Sequence, residues 1–296
     1  AMALNVGVNN ASTTFSGVLS GSGVLTKSGT GTLTLSSASN SLTGGVVFAG
    51  GAINVGTVGA LGSTGSLTFT SGTLQYGTGV TTDFSSRFAP VGLNGLLGID
   101  TNSNDVTVAT GITGAGGLLK AGSGILTLTG TSTYTGPTSI VGGTLAVNDG
   151  STMSGVLGAG TVTVGSGAAL QLAVASGATL TFSTPLTGSG ALTKTGAGLL
   201  ELAGTQTLTG LTTISAGTFN LSGSLSSTAL TISTGATFKG SGLLSGTATI
   251  LEGGTIFAGT SGTVGSLTLG GLVLGGTTAV NFTLATPTPT SNEGAI

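Results

Sequence analysis

Five basic and seven acidic residues hold nearly all the ionic chemistry available to this 296-residue chain, which contains no histidine and no cysteine. That absence removes the commonest general base, thiol nucleophiles, thiolate metal ligands and disulfides. The acids are Asp83, Asp100, Asp105, Asp149, Glu201, Glu252 and Glu293, and the bases are Lys27, Lys120, Lys194, Lys239 and Arg87. A glycosidase needs two carboxyl groups facing each other across a cleft. One stretch concentrates candidates, Asp83-Phe-Ser-Ser-Arg87 followed by Asp100-Thr-Asn-Ser-Asn-Asp105. Through Asp100, Asn102, Asn104 and Asp105 it has the oxygen-rich composition of a calcium loop, without the Gly and distal Glu of an EF-hand. Asp and Asn are also the residues that turns select for local hydrogen bonds. The expectation is a turn, with Asp83 and Arg87 as a surface pair and no catalytic residue, cofactor or metal.

Three of the five bases recur in a pattern. Lys27, Lys120 and Lys194 each precede a glycine turn within the similar blocks 21–55, 114–147 and 188–221. From Lys27 to Gly51, Lys120 to Gly143 and Lys194 to Gly217 the intervals are 24, 23 and 23 residues. A recurring unit that cannot bury its own apolar face must stack on copies of itself. The lysines are 93 and 74 residues apart. At roughly 20 residues per coil and about 4.8 Å per rung, this spacing separates them by about 15 to 25 Å, too far for one ligand pocket. The expectation is a solvated ammonium at a repeated corner, its stem covering the preceding leucine.

The elements that position these residues are strands. Gly is 59 of 296 residues and charged residues are 4%, against roughly 25% charged in typical soluble domains. With 38% hydrophobic residues and a net charge of −2, the chain is not disordered in type. Five prolines and no Gly-X-Y period exclude collagen, and no apolar run is long enough for a spanning helix. Gly31-Thr-Leu-Thr-Leu-Ser36, Gly65-Ser-Leu-Thr-Phe-Thr70 and Gly124-Ile-Leu-Thr-Leu-Thr129 alternate apolar and polar residues between glycine turns, the signature of half-buried strands. Shorter rungs of the same style begin at Ser66, Thr161 and Ala229. Strand and glycine turn in alternation, without helix, predict a single all-β solenoid over residues 1–285. A Pro/Thr-rich tail comes next at residues 286–296. Its predicted core holds Leu25, Leu33, Leu35, Leu126, Leu128, Leu192, Leu200 and Leu202. The glycine turns are not phosphate loops, because no helix comes after them.

The segments Gly-Ala-Gly-Gly-Leu-Leu-Lys120-Ala-Gly-Ser-Gly-Ile-Leu-Thr-Leu-Thr-Gly and Thr133-Tyr-Thr-Gly-Pro-Thr-Ser-Ile-Val-Gly-Gly-Thr-Leu-Ala-Val resemble the autotransporter-associated β-strand repeat of bacterial autotransporter passenger domains. The three lysine blocks cover about a third of the chain. The resemblance implies a right-handed parallel β-helix, exported and displayed at the bacterial surface or beyond it. An N-terminal signal segment and a C-terminal run of barrel strands are both missing from the sequence, so the expectation is a mature product or an excised passenger.

The leading functional expectation is an extracellular structural fibre, coat or stalk subunit that associates with itself, since so few charges oppose contact between copies. Leu4, Val6 and Val8 in the first rung, or Pro287, Pro289 and Ile296 in the tail, are the expected contacts. The alternative is an adhesive module binding ice or polysaccharide through outward Thr-X-Thr ladders such as Thr32-Leu-Thr34 and Thr161-Val-Thr163. Threonine also simply suits strands. A carbohydrate-active enzyme is disfavoured by the lack of histidine and the scattered acids, and five basic residues cannot track a nucleic-acid backbone.

Overall fold

The computed structural model describes residues 3–148, 157–260, 263–276 and 279–281. Asp149, Glu293, Pro287, Pro289 and Ile296 lie outside them. Within the described residues the chain is a parallel β-solenoid of about 13 turns without an α-helix. The one helical element is a single 3-10 turn at Ser85–Arg87.

One turn shows the plan. The chain passes through Leu25–Lys27, Thr32–Leu35 and Ser41–Leu42, then returns at Val46–Phe48 directly over Leu25–Lys27 in parallel register. The cross-section therefore has three faces. Successive passes over one face lie between 18 residues apart, as from Thr212 to Leu230, and 25, as from Thr73 to Gly98. Extra residues in the longer turns leave at the corners, which keeps the strands stacked. Parallel pairing is the rule; Thr255–Thr260 with Thr263–Val264 is an antiparallel exception.

Period-two alternation sends every second side chain into the shaft. The eight predicted core leucines are all inside, none more than 6% exposed. Register builds them into columns: Leu33, Ile53, Leu74 and Ile99 succeed one another up the second face. On the first face Phe48 and Phe69 stack with ring centroids 4.4 Å apart, and Phe88 meets Phe69 edge-on. Like side chains stacked on like fill a shaft of constant width without voids.

One inward position breaks this rule. Thr212 stands over Leu192, where the first block has Val46 over Leu25 and the second Thr138 over Leu118. The Thr138 hydroxyl meets the Tyr134 hydroxyl at 2.6 Å, whereas the buried Thr212 hydroxyl has no partner among the described residues. Replacing Thr212 by Val should raise stability by about 1 kcal/mol, by removing an unsatisfied buried hydroxyl and adding a methyl. The same change at Thr138 should lower it. Paired urea-denaturation curves check both signs.

Candidate functional site: three lysine clasps at the corners

Lys27, Lys120 and Lys194 are not solvated, contrary to the expectation from sequence; their exposures are 1%, 0% and 0%. Each occupies an inward position in a core column. Lys27 lies between Val6 and Phe48, Lys120 between Ile99 and Ile140, and Lys194 between Leu172 and Ile214. The stem runs through the core and the ammonium emerges beneath a corner, where three carbonyls turn inward to meet it.

The geometry repeats closely. Lys27 Nζ donates to Ser28 O at 2.6 Å, Gly29 O at 3.2 Å and Gly50 O at 3.3 Å. Lys120 Nζ donates to Ala121 O at 2.7 Å, Gly122 O at 2.8 Å and Gly142 O at 3.0 Å. Lys194 Nζ donates to Thr195 O at 2.8 Å, Gly196 O at 2.6 Å and Ala216 O at 3.1 Å. Two acceptors belong to the lysine's own corner and the third to the same corner one turn later. All three ammonium hydrogens are engaged, so the group has the full set of partners that a buried charge requires.

This clasp accounts for the glycines of the blocks. Gly29, Gly122 and Gly196 have φ of +68°, +79° and +73°, the left-handed region in which glycine alone is free of Cβ strain. A Cβ on Gly31, Gly124 or Gly198 would overlap the backbone oxygens of Ala11, Asn104 and Ala175 in the turn before. Gly51, Gly143 and Gly217, at φ of +58°, +61° and +68°, directly succeed the residue that supplies the third carbonyl. The 24-, 23- and 23-residue intervals are therefore one turn plus the reach of the clasp.

The three clasps lie on three different faces. From Lys120 the second-face column rises through Ile140, Val164 and Gly188 before the chain crosses to the third face and Lys194. The lysines therefore cannot form a row along one side of the solenoid.

The acidic stretch is likewise turned onto the backbone. Asp83 and Arg87 do not pair with each other, which corrects that expectation. Asp83 Oδ1 accepts from Ser85 N at 2.8 Å and Oδ2 from Ala109 N at 3.0 Å. Arg87 donates instead to the carbonyls of Leu61, Gly62, Thr64 and Gly65, one turn below. Both line a surface hollow of about 410 Å³ with Asn40 and Thr82. Asp100 Oδ1 accepts from Asn102 N, and its Oδ2 receives Gln75 Nε2 at 2.8 Å at the end of a ladder from Asn54. Asn104 Oδ1 accepts from Gly79 N and Asp105 Oδ1 from Ile125 N. The side chains of Asp100, Asn104 and Asp105 and the amide of Asn102 are thus spent on separate backbone and side-chain partners. Among the described residues no group of three or more acidic side chains converges.

A further set of backbone bridges is not foreseen from the sequence. Buried Asn40 accepts from Leu19 N and donates to Ala60 O, tying together the turns on either side of its own. Gln206, 1% exposed, accepts from Leu186 N and donates to Ala203 O. Their only sequence signal is an amide among small residues near a corner.

The lysine-bearing corners, with their glycines one turn apart, are what the comparison with known families identifies. They are matches to the passenger-associated-transport-repeat. The family model covers residues 25–55, 118–147 and 192–221. Each matched passenger repeat begins at the lysine strand and ends with the strand beyond the clasp's last glycine. The repeats and the solenoid together fit an autotransporter-passenger-like repeat protein, and the family points to a surface or secreted location. No curated protein and no solved structure matches the chain. No helix among the described residues is long and apolar enough to cross a membrane.

Two measurements test the clasp. Lys120→Met keeps the stem and leaves three inward carbonyls without a donor, and should cost about 3 kcal/mol or more in urea denaturation. Lys239→Met, on an outward position, should change stability by about 0.5 kcal/mol at most.

The second measurement is pH dependence. Burial lowers the Lys120 ammonium to about 8, with the Asp100 charge opposing the shift, and lowers Lys194 to about 8; burial also lowers Lys27. Below about 8 these lysines are protonated in both states. Between about 8 and the model-peptide value of about 10.4 the folded chain releases its protons first, so stability rises with pH. Burial, aided by the Asp83 charge, raises the Tyr76 phenol; burial likewise raises Tyr134. Above about 10 the unfolded tyrosines ionise first and stability falls. Denaturation midpoints should therefore rise from about pH 8 towards 10 and decline beyond it.

Proposed function

We propose that the chain is an extracellular structural β-solenoid, a self-associating subunit of a surface fibre, coat or stalk, and not an enzyme. One observation carries this reading. The side chains with chemistry to offer, Lys27, Lys120, Lys194, Arg87, Asp83, Asp100 and Asp105, are engaged by backbone groups or by a neighbouring side chain of the same ladder. A catalytic carboxylate needs oxygens free to meet a substrate. These carboxylates instead hold corners in place. The chain's low charge supports association, because little repulsion separates two copies.

A second reading is supported by the register on the third face. Thr193, Thr213, Thr231 and Thr249 succeed one another on four consecutive turns of the outward row. Hydroxyls repeating at about 4.8 Å suit the surface of a neutral crystalline polysaccharide or ice. On the second face the Thr163 and Thr187 hydroxyls lie 3.1 Å apart and satisfy each other, which weakens the case for ladders as ligand sites.

Electron microscopy and sedimentation of the purified chain over a wide concentration range test the first reading. Filaments that lengthen with concentration are expected. Dispersed monomers throughout would leave only the monomeric stalk, and saturable retention on cellulose or chitin would favour the adhesive reading.

A further inference from the structure

The core of the solenoid comes to the surface at both ends. At the first turn, Leu4–Val6, Thr13–Phe15 and Ser20–Gly21 each pair with the following turn alone among the described residues. Their other edges present unpaired backbone groups. Within that turn lies an apolar mouth of about 300 Å³, lined by Leu4, Val6, Phe15, Leu19, Leu25 and Leu33. Leu4 and Phe15 are 45% and 40% exposed, while Leu25 and Leu35, directly above them in register, are 1% and 0%.

The opposite end is similar. Thr268–Leu274 pairs with Leu243–Ile250, placing Leu272 over Ala248 and Leu274 over Ile250. Ala248 and Ile250 are fully buried, and Leu272 and Leu274 are 44% and 51% exposed. These leucines are inward residues of a core column, with no further strand paired above them among the described residues.

Natural sheet edges are guarded by charge, proline or a covering segment. No charged side chain occurs before Lys27, and none occurs between Glu252 and Glu293. Each end therefore offers apolar columns, open strand edges and no charge to repel its counterpart. The strands at the two ends run in the same sense around the axis, because the turns between them are stacked in parallel. A copy placed head to tail would continue both the columns and the ladders.

We propose that the first-turn mouth is the docking site for the Leu272 and Leu274 end of a second copy. The proposal rests on the fibre reading and gives it a defined joint. The contact uses different surfaces on the two partners, so it repeats without closing.

Blocking each end separately tests the joint. Leu4→Arg with Phe15→Arg closes one end, and Leu272→Arg with Leu274→Arg closes the other. Circular dichroism establishes that both variants remain folded. The wild-type chain should form filaments and each blocked variant should stay monomeric. An equimolar mixture of the two variants should stop at a dimer, since each retains one competent end. Filaments from both blocked variants would overturn the proposal and leave the fibre reading standing through sideways contact. A wild-type chain that stays dispersed would overturn both. Because the chain has no cysteine, a mixture of Phe15→Cys and Leu274→Cys chains provides a second readout that does not depend on charge. A mixed disulfide dimer should exceed either homodimer on oxidation, and homodimers alone would overturn the joint.

Discussion

An ammonium group closed in among three backbone carbonyls is the interaction on which the regularity of this solenoid depends. A parallel coil must change direction three times per turn, and at a tight corner some carbonyls inevitably point into the shaft. Water is excluded there, so those oxygens need a donor carried by the chain itself. A lysine stem is long enough to cross the core from an inward strand position, and its three hydrogens match three acceptors. Because one acceptor belongs to the next turn, the same contact sets both the bend of one coil and the seating of the coil stacked upon it.

Much of the fold was legible because it depends on local rules. Alternation in Gly31-Thr-Leu-Thr-Leu-Ser36 placed Leu33 and Leu35 inside, and the structure buries both. The burial of the lysines was legible in the same pattern. In Leu25-Thr26-Lys27 and Leu192-Thr193-Lys194 a period of two puts the lysine on the side of the leucine. The general rule that lysine stays exposed outweighed that local signal, and in this corner the rule gives way because the partners are present.

Contacts across a turn could not be read in this way. Asp83 and Arg87 are four positions apart and of opposite charge, so a pair between them was the economical reading. Their true partners, Ala109 for one and residues 61–65 for the other, lie more than twenty positions away. Only the register brings them close. The candidate cation loop failed to converge for the same reason: Asn104 is drawn down to Gly79 and Asp105 up to Ile125.

The distribution of the clasps over three faces has a mechanical consequence. A rod restrained along one edge bends away from that edge and can be peeled open from the opposite side. Here the restraints are staggered around the circumference, at Lys27, Lys120 and Lys194 in turn. A transverse load from any direction meets a clasp in tension on some turn, and a tear started on one face runs into a clasp as it spirals onto the next. The rod is stiffened about every axis by three side chains.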